Sequence, residues 1–176
     1  INYLLSDTSD DEHIMSENSP IDYSVDIVTE ADLPDLLPLM RAYCTFYEET
    51  ENISPQPTDD LLLLLCRKLI SDPEHEGIQF IVRQQNRSIG FATLYWTWQT
   101  LTASRVAVMN DLYVEPESRK HGIATRLIER CRDYARSHGA SCLKWLTSNK
   151  NLRAQSVYDK TGAIKSSKWI DYELSL

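Results

Sequence analysis

Tyr23, Val25 and Ile27 alternate with polar neighbours, the pattern of a half-buried strand. Thr29 stands three residues before Asp32, a weak capping box, and Pro34 falls in a first turn, where proline is tolerated. Leu33, Leu36/Leu37, Met40, Tyr43/Cys44 and Tyr47 then recur at helical spacing, predicting a helix to about Glu49. Ser54–Pro57 breaks the chain, and Thr58 caps a second apolar helix over 59–71, closed by Ser71-Asp72-Pro73. Ile78–Arg83 and Ile89–Trp98 read as a hairpin, with Asn86 at the turn. A valine-rich strand, Arg105–Glu115, follows. Next comes a helix from Gly122 to His138 with Ile123, Leu127, Cys131 and Tyr134/Ala135 on one face, stopped by Gly139. Ser141–Thr147 predicts a strand, Leu152–Lys160 a short helix ended by Gly162, and Ile164–Leu174 a closing strand. The order β-α-α-β-β-β-α-β-α-β predicts one mixed α/β domain over 21–176, a sheet covered by helices.

Residues 1–20 are polar and without periodicity, and predict a loosely attached tail. They carry five of the 26 acids and no Lys or Arg, so much of the net charge of −8 belongs to them. The domain itself holds 21 acids against 18 bases, a balance that argues against a nucleic-acid partner. The longest purely apolar run, Leu61–Cys66, is far short of the roughly 20 residues a membrane span needs. No basic, apolar leader is visible, so a cytoplasmic location is expected. Cys44, Cys66, Cys131 and Cys142 form no CxxC pair and read as free thiols, and the four histidines make no metal-binding spacing, so no metal is expected.

The chemistry-bearing stretch is the strand–turn–helix from Val106 to Tyr134, whose turn reads Arg119-Lys-His-Gly-Ile-Ala124. A helix start exposes N–H groups with no partner inside the helix, and its dipole favours an anion there. Gly122 and Ala124 let a phosphate approach the backbone, Arg119 and Lys120 add positive charge, and Thr125 offers a hydroxyl. An ordinary helix start with a convenient glycine would read the same way. Neither GxxxxGK[ST] nor GxGxxG is present. Asn151 and Tyr158 lie seven residues apart, two turns of the last predicted helix, and so share a face. An amide can hold a ligand's polar arm, and a phenol can protonate a leaving group; packing against the sheet is the plainer role for the phenol. Tyr95-Trp-Thr-Trp98 fits either strand packing or an aromatic cage for an ammonium.

Asn110-Asp-Leu-Tyr-Val114, Arg119-Lys-His-Gly-Ile-Ala124, Asn151 and Tyr158-Asp-Lys-Thr-Gly162 together resemble the GNAT superfamily of acetyl-CoA-dependent N-acetyltransferases, over about 22–174. The Asp-Leu-Tyr-Val strand and Arg41–Glu48 look most like its small-amine, polyamine and histone-type branch. The resemblance implies a central, mostly antiparallel mixed sheet flanked by helices. It also implies acetyl-CoA held by Leu112, Tyr113 and Val114 along the pantetheine, by Arg119, Lys120, His121, Gly122, Ile123, Ala124 and Thr125 at the pyrophosphate, and by Asn151. Tyr158 would protonate the departing thiolate. The acetyl oxygen would point at a strand amide near Leu112.

One position departs from the pattern: polyamine-type relatives often place a glutamate base where Asn110 stands. Asp111 is the ionisable alternative as catalytic base, but it faces the other side of a regular strand unless a bulge re-aims it. Asn110, Glu48 and Glu49 are candidates for binding a cationic amine. The expected acceptor is a small-molecule amine or a protein lysine, and a homodimer is expected, with the apolar closing strand Trp169–Leu174 as its hint. Two other readings stay open: a non-catalytic acyl-CoA-binding module of the same fold, and a phosphate-binding domain unrelated to coenzyme A.

Overall fold

Thr29 opens the first helical segment much as its spacing predicts. The Asp32 carboxylate reaches back to accept from the Thr29 N–H (2.7 Å) and hydroxyl (2.8 Å). In the computed structural model, which describes residues 22–168 with Ile170, Tyr172 and Leu174, this turn leads into helix α1 (Leu33–Glu51). Asn52 ends α1 in the left-handed region at φ 58°. Thr58 caps α2 (Asp59–Ser71) by accepting from the Leu61 N–H. The strands are β1 (Ser24–Ile27), β2 (Gly77–Gln84), β3 (Arg87–Gln99), β4 (Ser104–Val114) and β5 (Leu143–Lys144); α3 (Ile123–Ser137) and α4 (Leu152–Tyr158) complete the fold.

The five strands lie in the order β1-β2-β3-β4-β5, antiparallel except for the parallel β4–β5 pair. Helices cover both faces. Under α3, Phe80, Val82, Leu94, Met109, Leu127 and Cys131 form one buried cluster; α1 and α2 bury Leu36, Leu39, Met40, Cys66, Ile81 and Phe91 against the other face. This is the layered arrangement that the alternating strand pattern demands, since each sheet face must lose its apolar surface to a helix stripe. Among the described residues no helix is long and apolar enough to cross a membrane. All four cysteines are free thiols, and burial pushes Cys66 up to about 11 and Cys131 up to about 12.

Two expectations are corrected. The strand expected at Ser141–Thr147 shrinks to Leu143–Lys144, paired only with Ala107 and Val108. Two residues further on β4 bulges at Asn110, and a bulge bends the strand that carries it, so the parallel ladder ends there. The closing strand at Ile164–Leu174 is not formed among the described residues, where 163–168 run irregular and exposed. A two-residue β5 offers too short an edge for a long partner. Trp169, Asp171 and Glu173 lie outside the described residues, as does the expected tail at 1–20, so the dimer hint on Trp169–Leu174 rests partly beyond them. The segment Tyr95–Trp98 forms no aromatic cage. Trp96 stacks on Tyr134 under Arg105, its indole N–H bonded to Pro73 O (2.8 Å), while Trp98 is 74% exposed.

Gly90 lies opposite Val114 and its site lets β3 and β4 close. A Cβ built there would stand 2.6 Å from the Tyr113 carbonyl oxygen, which belongs to backbone and cannot swing aside. Gly90→Ala is therefore expected to lower unfolding free energy by about 1–3 kcal/mol, the usual range for overpacking. Urea denaturation measures it, and an unchanged midpoint would contradict the close approach.

Candidate active site

Strand β4 builds the site because its pairing slips by one residue. Asp111 pairs with Thr93 and Met109 with Leu94, leaving Asn110 without a partner in β3. Before the slip Ala107 and Met109 face the α3 side; after it, Leu112 and Val114 do so, while Tyr113 packs toward α1. The bulge that Asp111 would need is present, and it turns this carboxyl toward α1. The backbone is directed as well. The Glu115 N–H bonds to Ile89 O (2.9 Å), so by antiparallel alternation Tyr113 and Asp111 bond to β3 and the peptide groups of Leu112 and Val114 point to the opposite edge. That edge is open, since β5 pairs only with Ala107 and Val108. The Val114 carbonyl is taken by Arg119 Nε (2.8 Å).

Beyond β4 the chain turns into α3 through two left-handed residues, Lys120 (φ 69°) and Gly122 (φ 78°), on either side of His121. Nothing lies within 4 Å of a Cβ built on Gly122, so the space over this turn is open. The first helical bond runs from the Arg126 N–H to Gly122 O (3.0 Å), and the N–H groups of Ile123, Ala124 and Thr125 therefore precede the ladder. The Ile123 side chain is buried in the core; Lys120, His121 and Gly122 are exposed, and Ala124 and Thr125 half-buried. The His121 ring lies 3.3 Å from Ser118 O. A concave run of free amides beside two basic side chains is an anion cradle.

On the α1 side, Asp111 is only 8% exposed. The Asn110 amide donates to it (3.0 Å), and this bond and the nearby Thr93 and Tyr43 hydroxyls favour its charged form; burial outweighs them and raises its pKa. Behind it, Gln79 Nε2 donates to Thr93 Oγ1 (3.1 Å), so the chain Gln79–Thr93–Asp111 is wholly interior. Tyr43 stacks edge-on with Tyr47 (4.9 Å), Phe91 and Tyr113, and burial together with Asp111 pushes its phenol above the ordinary range. Tyr43, Cys44, Tyr47, Ile53, Pro55, Gln56, Pro57, Asn110, Asp111, Leu146, Thr147 and Ser148 enclose a cleft of about 370 Å³. Arg41 pins its loop wall by donating to Pro57 O (2.6 Å) and pairing with Asp59.

Tyr158 ends α4 packed against Trp145 (5.3 Å), half-buried, and burial pushes its phenol up to about 12; the nearby Thr147 hydroxyl opposes the rise. Thr147 Oγ1 itself is buried and has no well-formed hydrogen bond among the described residues. Asn151 is the N-cap of α4 rather than part of its face: its Oδ1 accepts from the Ala154 N–H (3.1 Å), and its amide lies near the Tyr47 hydroxyl. Glu48 is bonded to Gln56, whereas Glu49 is exposed and does not line the cleft. Sequence reasoning took Tyr43 and Tyr47 for core positions and passed over Thr93 and Thr147. Two tyrosines one helical turn apart, and a threonine set between Ala92 and Leu94, were the available signals.

The model of the acetyltransferase (GNAT) family matches residues 36–163, from α1 to just past α4. The chain belongs to the GNAT acetyltransferase family. It is 29% identical over 146 residues to the uncharacterized N-acetyltransferase YhfO of Bacillus subtilis, across 83% of this chain and 93% of that one. With a thialysine N-epsilon-acetyltransferase of Caenorhabditis elegans it shares 27% over 113 residues, 62% of this chain and 70% of the relative. The solved aminoglycoside N-acetyltransferase AAC(6')-Iy, in complex with CoA, has the same fold: TM-score 0.73 at 20% identity, covering 88% of this chain and 96% of that one. This GNAT protein is an acetyl-transferring enzyme, and its fold class is the one its motifs implied.

The raised pKa of Asp111 fixes a sign for stability. Between the ordinary carboxylate value and the raised one, the folded chain keeps a proton that the unfolded chain releases, so stability falls as pH rises through that window. Asp111→Asn removes the charge. Its melting temperature is expected to gain on wild type as pH goes from about 4 to about 8. A difference that stays constant across that range would contradict the buried, proton-retaining carboxyl.

Proposed function

We propose that the protein moves the acetyl group of acetyl-CoA to a primary amine by direct attack. The observation that carries this reading is the junction of β4 and α3, where an open strand edge at Leu112 runs straight into a turn of free amides at 120–125. An extended pantetheine arm needs such an edge, as an added strand does, and a pyrophosphate needs such a turn. The residues present therefore fit the acyl carrier. Lys120 to Thr125 would hold the diphosphate and Leu112 the arm, with the Arg119 guanidinium adding positive charge beside them. The Leu112 N–H would donate to the acetyl oxygen as negative charge develops there.

On the acceptor side, Asp111 takes a proton from the incoming ammonium, directly or through the Tyr43 hydroxyl, and its raised pKa suits a base better than an ordinary aspartate would. The amine nitrogen then bonds to the carbonyl carbon, the carbon–sulfur bond breaks, Tyr158 gives its proton to the departing sulfur, and the new amide nitrogen sheds its extra proton, which restores the phenol. A phenol pushed up to about 12 holds that proton at neutral pH until the thiolate forms. Asn110, on the bulge, would contact the amine. The thialysine-acetylating relative and the aminoglycoside-acetylating structural neighbour support small amines as acceptors, in keeping with the small-amine branch. A protein lysine presents the same group.

Tyr158→Phe is expected to lower kcat by about 10²- to 10⁴-fold, the range for loss of a general acid. The same variant should keep the rise in melting temperature that acetyl-CoA gives the wild type. Thiol-release kinetics and thermal unfolding read the two effects. A wild-type kcat removes Tyr158 from the chemistry, and the absence of any acetyl-CoA shift in wild type removes the cosubstrate.

A further inference from the structure

The acceptor cleft has an uneven chemistry. Most of its wall is carbon: Tyr43 and Tyr47 from α1, Ile53, Pro55 and Pro57 from the following loop, and Leu146 from the strand end after β5. Among the described lining residues, Asp111 is the one carboxylate, and it is buried. The acids at the end of α1 do not add to it. Glu48 does not line the cleft and accepts from the Gln56 amide, while Glu51 accepts from the Ser148 hydroxyl and pairs with Lys150 Nζ (3.4 Å). Glu49, two residues on from Tyr47, is turned about 200° around the helix from the cleft wall. Lys150 thus adds a positive charge at the same end of α1 where a second ammonium would look for an acid.

We infer that the acceptor is a monoamine, one primary amine carried on an apolar or aromatic stem. This deepens the proposed amine acetylation and rests on it. The ammonium end meets Asp111, with the Tyr43 and Tyr47 rings lining the cleft beside it. The stem lies along Ile53, Pro55 and Leu146, where it leaves water without stranding any polar group. A polycation fares worse, because its other ammonium groups would be desolvated among carbon walls with no carboxylate to pair with. The cleft volume, about 370 Å³, suits a small molecule of this kind and lies at the low end of ligand sites, about 300–1,000 Å³.

The test is thiol release by the full chain with acetyl-CoA and four amines at one pH: hexylamine, phenethylamine, spermidine and kanamycin. The two apolar monoamines are expected to show kcat/KM at least about tenfold above the two polycations, the discrimination a matched apolar wall supplies. Equal values, or a preference for spermidine or kanamycin, would overturn the monoamine assignment and leave acetyl transfer standing. No release from any of the four, with no thermal shift by acetyl-CoA, would overturn the transferase reading and this inference with it. Release from none of them despite an acetyl-CoA shift would overturn the monoamine assignment and favour the non-catalytic acyl-CoA-binding module. Leu146→Glu gives a second arm: the side chain is 81% exposed, so the variant should fold, and it places an acid on the cleft wall. The spermidine-to-hexylamine ratio of kcat/KM is expected to rise by about fivefold or more. An unchanged ratio in a folded variant would count against the assignment.

Discussion

Because Asn110 takes no partner in β3, the alternation of side chains along β4 reverses between Met109 and Leu112. Side chains in a strand have a period of two, so one unpaired residue sends every later side chain to the opposite face. In a regular strand Asp111 would have continued the row of Ala107 and Met109 under α3. Instead it enters the α1 side, between Thr93 and Tyr43, while Leu112 and Val114 take over the α3 side. The same bend ends the β4–β5 ladder after Val108 and leaves the edge at Leu112 open. One local irregularity thus makes both halves of the site, a carboxyl in one cleft and a free strand edge beside it.

The two halves are electrically opposite, and the sheet keeps them apart. At 120–125 the exposed amides, Arg119 and Lys120 favour an anion, and left-handed φ values at Lys120 and Gly122 turn the chain so that those amides converge. Across β4, Asp111 sits among aromatic rings as the one carboxylate of the described cleft lining, while Glu48 and Glu51 at the end of α1 bond to Gln56, Ser148 and Lys150. In the proposed reaction, a negatively charged carrier and a positively charged acceptor would approach from different sides of one strand and meet at its bulge. Neutral, buried groups complete the arrangement: the Tyr158 phenol keeps its proton, and the Thr93 hydroxyl, held by Gln79, steadies the carboxyl.

Most of the fold was legible because its signals are local. Thr29 with Asp32, Thr58, Gly122 and Gly139 mark helix ends, and the buried faces of α1, α2 and α3 follow from helical spacing. The motif at 119–124 was legible for the same reason, since an anion cradle needs its residues in one short run. What failed to show were features set by distant partners. Ser141–Thr147 has strand-like residues, yet its length depends on where β4 bends. Asn151 and Tyr158 looked like one helix face, but an asparagine at a helix start is bound first by its own backbone. Tyr43 and Tyr47 fit the apolar stripe of α1 and serve it in part, so nothing in the spacing distinguishes a ring that packs from one that lines a cleft.

Amide hydrogen exchange with and without coenzyme A probes the open edge of β4 at single residues. Saturating coenzyme is expected to slow exchange at the Leu112 N–H and at Ile123, Ala124 and Thr125, while Tyr113, already bonded within the sheet, changes little. Unaltered exchange at Leu112 in a saturated complex would contradict that open edge.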